Sequence, residues 1–189
     1  MSLGGVIHNL ASTFFSSLAP YHLLLYSALL GTGLFQTFVN TKLCFLALPR
    51  PAFATLQKRL FPVYFGTQTA LVVLSALTFP PHGLSSLMQR RGDWIPYAVA
   101  LGTALLNLVV YGPRTRRAMG HCIDQETRDR LIHDGDESRL DREPSPDMQR
   151  VRRSFARNHA MAVHLNMISI GATVFHGWRL GSKLAMGME

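Results

Sequence analysis

No Lys, Arg, Asp or Glu occurs from Met1 to Thr41, whereas residues 112–157 carry 11 of the 19 basic and 9 of the 11 acidic residues. A water-soluble domain spreads charge over its whole surface, so this segregation constrains the fold more than any other feature. Apolar residues make up 48% of the chain and charged ones 16%, against roughly a quarter charged in an average soluble protein. That apolar content also excludes intrinsic disorder for most of the chain.

A helix rises 1.5 Å per residue, so about 20 apolar residues cross the hydrocarbon core of a bilayer. Four stretches qualify: 21–46, with Lys42 near one end, and 60–79, 94–111 and 159–178, all uncharged. The expected fold is therefore all-α, a four-transmembrane-helix bundle with amphipathic flanking helices, forming a single membrane domain over 1–189. Tyr21, Tyr64, Trp94, Tyr97, Tyr111 and Trp178 lie at or near the span ends, where amphipathic rings prefer to sit.

Orientation follows from the basic residues of short loops. With four spans, the N-terminus, the 80–93 loop and the C-terminus share one side and hold Arg90, Arg91, Arg179 and Lys183. The 47–59 loop and the 112–158 segment share the other, with Arg50, Lys58, Arg59, Arg114, Arg116, Arg117, Arg150, Arg152, Arg153 and Arg157 near span ends. Ten against four places both basic loops in the cytoplasm. The start of the chain lacks a positive segment and a small-residue cleavage site, so the first span is expected to act as its own targeting signal. A mitochondrial presequence would need several Arg before that span. The expected location is the endoplasmic reticulum, another endomembrane or the plasma membrane, with a mitochondrial membrane disfavoured. The sequence pI near 10.2 comes from this positive-inside charge, which gives no reason to expect nucleic-acid binding.

Outside the spans, residues 3–18 repeat apolar side chains at helical spacing and predict a helix lying in the interface. Pro51 is suited to open a helix, and Pro62 to sit in the first turn of a second one beginning near 59–61. Gly112–Pro113 reads as an interruption, with Pro113 opening a separate cytoplasmic helix to about Ile132. Residues 134–147 read as a flexible acidic loop, and Ser145 as the N-cap of a long helix from Pro146. Cys44 and Cys122 fall at the cytoplasmic face, where small buried residues are expected rather than a disulfide.

Uncompensated polar groups are expensive in hydrocarbon. The intramembrane polar candidates are Gln36, Asn40, Gln68, Asn107 and Asn166. Direct pairing would make them helix–helix glue, and convergence on a hydrated cavity would make them a solute path. Small residues at four-residue spacing (Ser27/Gly31, Gly66/Ala70, Ala98/Gly102, Ser169/Thr173/Gly177) permit close helix approach or a homo-oligomer. Haem between helices would need facing histidines at equal depth. Only His22 and His176 fit that, and histidines at span ends otherwise read as snorkelling to the interface. No metal or cofactor is expected. Catalytic motifs are missing too: the chain has no phosphate-binding loop, no His-Glu-x-x-His and no nucleophile elbow.

Thr37-Phe38-Val39, Leu48-Pro49-Arg50, Gln57-x-x-Leu60-Phe61-Pro62-x-Tyr64-Phe65, Asn107, Pro113-Arg114-Thr115 with Ala118-Met119, and Phe155-x-Arg157-x-His159 with Asn166 follow one another in the chain. In this order they resemble the transmembrane protein 205-like family, also described as a domain of unknown function (number 4149), over about residues 28–172. The resemblance implies four spans, a basic cytoplasmic-type loop and no established enzymatic activity. It also implies secretory-pathway or surface membranes, and its animal member is associated with resistance to platinum drugs. Lys42, the Ser-rich N-terminus and the acidic third loop depart from that pattern. Among the matched residues, Arg50, Arg114, Arg157 and His159 share the cytoplasmic boundary and form a candidate site for an anion or a lipid headgroup.

The expected function is that of a non-enzymatic multi-pass membrane protein acting in trafficking, membrane organisation or complex assembly. Its partners would be the lipid bilayer and a protein bound at the basic loop. The rival expectation is a channel or transporter for a small solute or anion.

Overall fold

The computed structural model describes residues 17–132 and 144–186, and these are helical throughout apart from short connections. Helix α1 spans Ala19–Ala47 and contains a π-helical turn over Phe35–Asn40. Helix α2 spans Arg50–Leu77. A short helix, α3, covers Leu84–Met88. Helix α4 runs through Arg91–Leu106, a second π turn at Asn107–Tyr111, and Gly112–Ile132 without a break. Helix α5 spans Pro146–Met186. Most of the expected interfacial helix over 3–18 and of the acidic loop over 134–147 lies outside the described residues, and Pro146 and Asp147 at the end of that loop already belong to α5.

α4 and α5 pack side by side along both halves of α4, α1 and α2 form a second pair, and α1–α5 and α2–α4 contacts close the bundle. An apolar cluster of Leu29, Val72, Phe79, Leu87, Tyr97 and Ala100 fills the end nearest α3. Gly83 starts α3 at φ +67, and a β-carbon there would stand 2.6 Å from the Leu77 carbonyl oxygen, so only glycine fits the turn.

The radial distribution of side chains is inverted relative to a soluble protein. The buried side chains include His22, Gln36, Gln57, Gln68, Ser75, Asn107, Asn166, Ser169, Thr173 and His176. The exposed ones include Leu23, Leu24, Phe35, Phe38, Leu46, Val63, Val109 and Phe175. Such a surface is stable only in an apolar solvent. Among the described residues, three helical stretches are long and apolar enough to cross a membrane: Ala19–Ala47, Arg50–Leu77 and a window within Arg91–Asp129. α5 falls short of that apolarity, because Asn166, Ser169, Thr173 and His176 recur on its buried face.

Several local expectations fail, each for a physical reason. Pro62 lies inside α2 and starts no new helix. Gly112–Pro113 does not interrupt α4. The preceding π turn, in which the Gly112 amide donates to the Asn107 carbonyl, re-spaces the backbone just before a proline that has no amide hydrogen. Tyr64 and Tyr97 are buried and hydrogen-bonded inside the bundle, so they do not belong to an interfacial belt. Of the small-residue faces, Gly31, Gly66 and Gly102 meet no neighbour. Gly177 alone allows a close approach: a β-carbon there would collide with the Tyr26 hydroxyl.

Candidate functional site

The two ends of the bundle hold different chemistry. At the end near α3, His22 Nδ1 lies 2.9 Å from the Ser75 carbonyl oxygen. The carbonyl only accepts, so the His22 proton sits on Nδ1 and Nε2 is left as an acceptor. That atom faces His176 Nε2 at 3.3 Å, which in turn lies 3.1 Å from the Tyr97 hydroxyl; Tyr97 also bonds Ser75 Oγ at 2.9 Å. Both histidines are buried and do not snorkel: His22 bonds through both nitrogens and His176 through Nε2, while His176 Nδ1 is buried without a partner. Asp93, buried at the start of α4, accepts from Arg179 at 3.0 and 3.1 Å and from Lys183 at 2.8 Å. This end is closed. Among the described residues, no group of three or more His, Cys, Asp or Glu is placed to hold a metal.

At the opposite, basic end the four long helices diverge around a cavity of about 170 Å³. Each helix contributes one stripe. α1 supplies Gln36 and Thr37 from its π turn, and Thr41 just after it. α2 supplies Gln57, Phe61 and Tyr64 at spacings of four and three, with Lys58 and Phe65 beside them, the periodicity of one helical face. α4 supplies Gly112, Thr115, Arg116 and Met119 immediately beyond its own π turn. α5 supplies His159, Ala162, Val163 and Asn166. Both π turns thus abut the cavity, a placement common for π-bulges at functional sites.

Asn166 closes the inner end of the cavity and ties three helices. Its Oδ1 accepts from Tyr64 at 2.9 Å and from Gln68 at 3.4 Å, and its Nδ2 donates to Thr37 Oγ1 at 2.8 Å. Gln68 also donates to Ser169 Oγ at 3.2 Å. Asn107 donates to the Ala162 carbonyl at 3.0 Å, joining α4 to α5. Asn40 donates to Gln36 Oε1 at 2.8 Å, a pairing within α1. Most of the predicted intramembrane amides therefore bond one another, and only Gln36 and Asn166 reach the cavity wall.

The four residues of the boundary cluster are not joined. Arg50, Arg114 and Arg157 are exposed on three different helices, with Arg114 5.9 Å from the Tyr111 ring centroid. His159 lines the cavity and stacks on Phe155 at 5.4 Å. The cations that line the cavity are instead Lys58 and Arg116.

The residue with the clearest unmet demand is Gln57. It is 1% exposed, and neither its Nε2 nor its Oε1 has a hydrogen-bond partner. Across the cavity, Thr115 Oγ1 is likewise buried and unpartnered. Both stand in the matched motifs, but sequence reasoning did not take either as a site residue, because Gln57 lies in the 47–59 loop and Thr115 just after the third span, both outside the expected spans. The signal was the spacing of Gln57 with Phe61, Tyr64 and Gln68, which continues one face of α2 into that segment.

The family model for Domain of unknown function (DUF4149) matches residues 24–122. The chain is 41% identical over 173 residues to the Xanthocillin biosynthesis cluster protein D of Aspergillus fumigatus, covering 92% of this chain and 95% of that one. No solved structure matches.

Proposed function

The chain belongs to the DUF4149 family, and we propose that it is a non-enzymatic, four-span membrane protein that holds a small molecule in the cavity at the basic end of its bundle. α5 supplies the fourth crossing. Its outward side chains Met167, Ile168, Val174, Phe175 and Trp178 are exposed and apolar, and its polar stripe faces the other helices. Positive-inside charge puts the cavity on the cytoplasmic side of an endomembrane or the plasma membrane. The quoted motifs favour the transmembrane protein 205-like members of the family.

One observation carries the reading: Gln57 is enclosed in a cavity wall with both carboxamide atoms unpartnered. An unmet buried polar group costs about 1–3 kcal/mol, and a bound molecule offsets that cost. The relative named for a xanthocillin biosynthesis cluster suggests the setting, a membrane-bound role in a small-molecule biosynthetic pathway. The pairing of Gln68, Asn107 and Asn166 within the bundle favours a companion role in assembly, with the α4–α5 extension over 112–132 and 146–157 as the face for a protein partner. A permanently open channel is disfavoured by the packed His22, His176, Tyr97 and Phe79 at the other end.

Purification of the wild type and Gln57→Leu from native membranes, followed by solvent extraction and mass spectrometry, tests the reading. A low-mass species retained by the wild type and absent from the variant is expected. Identical extracts from the two proteins would overturn it.

A further inference from the structure

Gln57 and Thr115 face the cavity from α2 and α4, and each is followed in the chain by a cation, Lys58 and Arg116. Consecutive helical residues are turned by about 100°, so each pair puts its neutral polar group inward and its cation towards the rim. Lys58 reaches across to α4: its Nζ lies 3.9 Å from where a β-carbon on Gly120 would stand. Neither cation has an ion-pair partner among the described residues. The rings of Phe61 and Phe65, stacked on each other at 6.0 Å and 17°, give the cavity an apolar, aromatic wall.

From this arrangement we infer that the cavity binds a small amphipathic acid. Its anionic group lies between Lys58 and Arg116, its flat apolar body lies against Phe61 and Phe65, and a hydroxyl or amide at its inner end bonds Gln57 and Thr115. The carboxamide of Gln57 offers a donor and an acceptor side by side, which a ligand hydroxyl or amide satisfies at once. Two cations without an ion-pair partner among the described residues, beside a largely apolar cavity, favour an anion over a neutral ligand, because the interaction is only partly screened by water. Size narrows the class further. At about 10–15 Å³ per water-sized unit, a cavity of about 170 Å³ admits a ligand of about a dozen non-hydrogen atoms, far smaller than a two-chain phospholipid.

This inference rests on the cavity reading above, and one experiment separates the two. The full-length protein in zwitterionic nanodiscs is titrated calorimetrically with hydroxyphenylpropionate and with its neutral amide. The wild type is expected to bind the acid about tenfold more tightly than the amide. The double variant Lys58→Gln, Arg116→Gln is expected to lose that preference and still bind the amide. Gln57→Leu is expected to weaken both ligands about tenfold and to raise the melting temperature of the ligand-free protein, a direction that a purely structural Gln57 would not produce. Equal binding of acid and amide by the wild type, or a preference that survives in the double variant, overturns the acid class and leaves the cavity reading standing. Loss of acid binding when phosphatidate is added to the nanodiscs assigns the cavity to a lipid headgroup and also overturns it. If neither probe binds at millimolar concentration and Gln57→Leu does not raise the melting temperature, both readings fall.

Discussion

Two buried amides in this bundle are in opposite states, and mutation should separate them by sign. Asn166 satisfies three partners on two other helices, whereas Gln57 satisfies none. Asn166→Leu removes one hydrogen bond each from Tyr64, Thr37 and Gln68, although Tyr64 and Thr37 still face each other. It should lower stability by about 2 kcal/mol, since each lost buried hydrogen bond costs about 0.5–1.5 kcal/mol. Gln57→Leu removes an unmet group of similar size and should raise the stability of the ligand-free protein by about 1 kcal/mol. Chemical denaturation in detergent measures both, and equal destabilisation by the two changes would contradict the assignment of Gln57 to a ligand. At this scale the sequence was half legible. Polar residues inside apolar stretches stood out, so Asn107 and Asn166 were found. Gln57 did not stand out, because it lies among charged and proline residues, and only its spacing with Phe61, Tyr64 and Gln68 tied it to the span.

At the level of elements, the helices were legible and their continuity was not. Apolar length marked the cores of α1, α2 and α4, and the Ser145 cap of α5 is present, with the Met148 amide donating to Ser145 Oγ at 3.1 Å. Proline and glycine were read as breaks because local propensity alone says so. Here tertiary packing overrides it: α4 continues through Pro113 along the face of α5, and the π turn before it relieves the geometry. The close contact between α1 and α5 gives an element-scale prediction. Gly177→Ala drives a methyl into the Tyr26 hydroxyl and should destabilise by about 1–3 kcal/mol, the usual range for overpacking. Tyr26→Ala in the same chain removes both the hydroxyl and the ring carbon that would stand 2.7 Å away, so Gly177→Ala should cost almost nothing in that background. A melting temperature unchanged by Gly177→Ala would mean that the helices stand further apart than described.

For the whole molecule, the inverted distribution of polar and apolar side chains is the strongest single statement about its environment. A lysine in place of Leu105, which is exposed near the middle of the α4 span, should cost about 3 kcal/mol of membrane insertion, readable as a loss of membrane-integrated protein in a glycosylation-reporter assay. A soluble fold would tolerate the same change without loss. Charge segregation made the membrane legible from the chain alone, and it pointed to four crossings. The fourth rests on α5, whose buried polar face depresses its average hydropathy while its outer face remains apolar. The decisive measurement is therefore the sidedness of α5. In a chain freed of Cys44 and Cys122 by serine substitution, Arg117→Cys and Ser182→Cys are each labelled with an impermeant maleimide in sealed, cytoplasmic-side-out vesicles. Labelling of Arg117→Cys from outside, and of Ser182→Cys only after permeabilisation, is the predicted result. Labelling of both from the same side would mean that α5 does not cross, and the four-span account would be wrong.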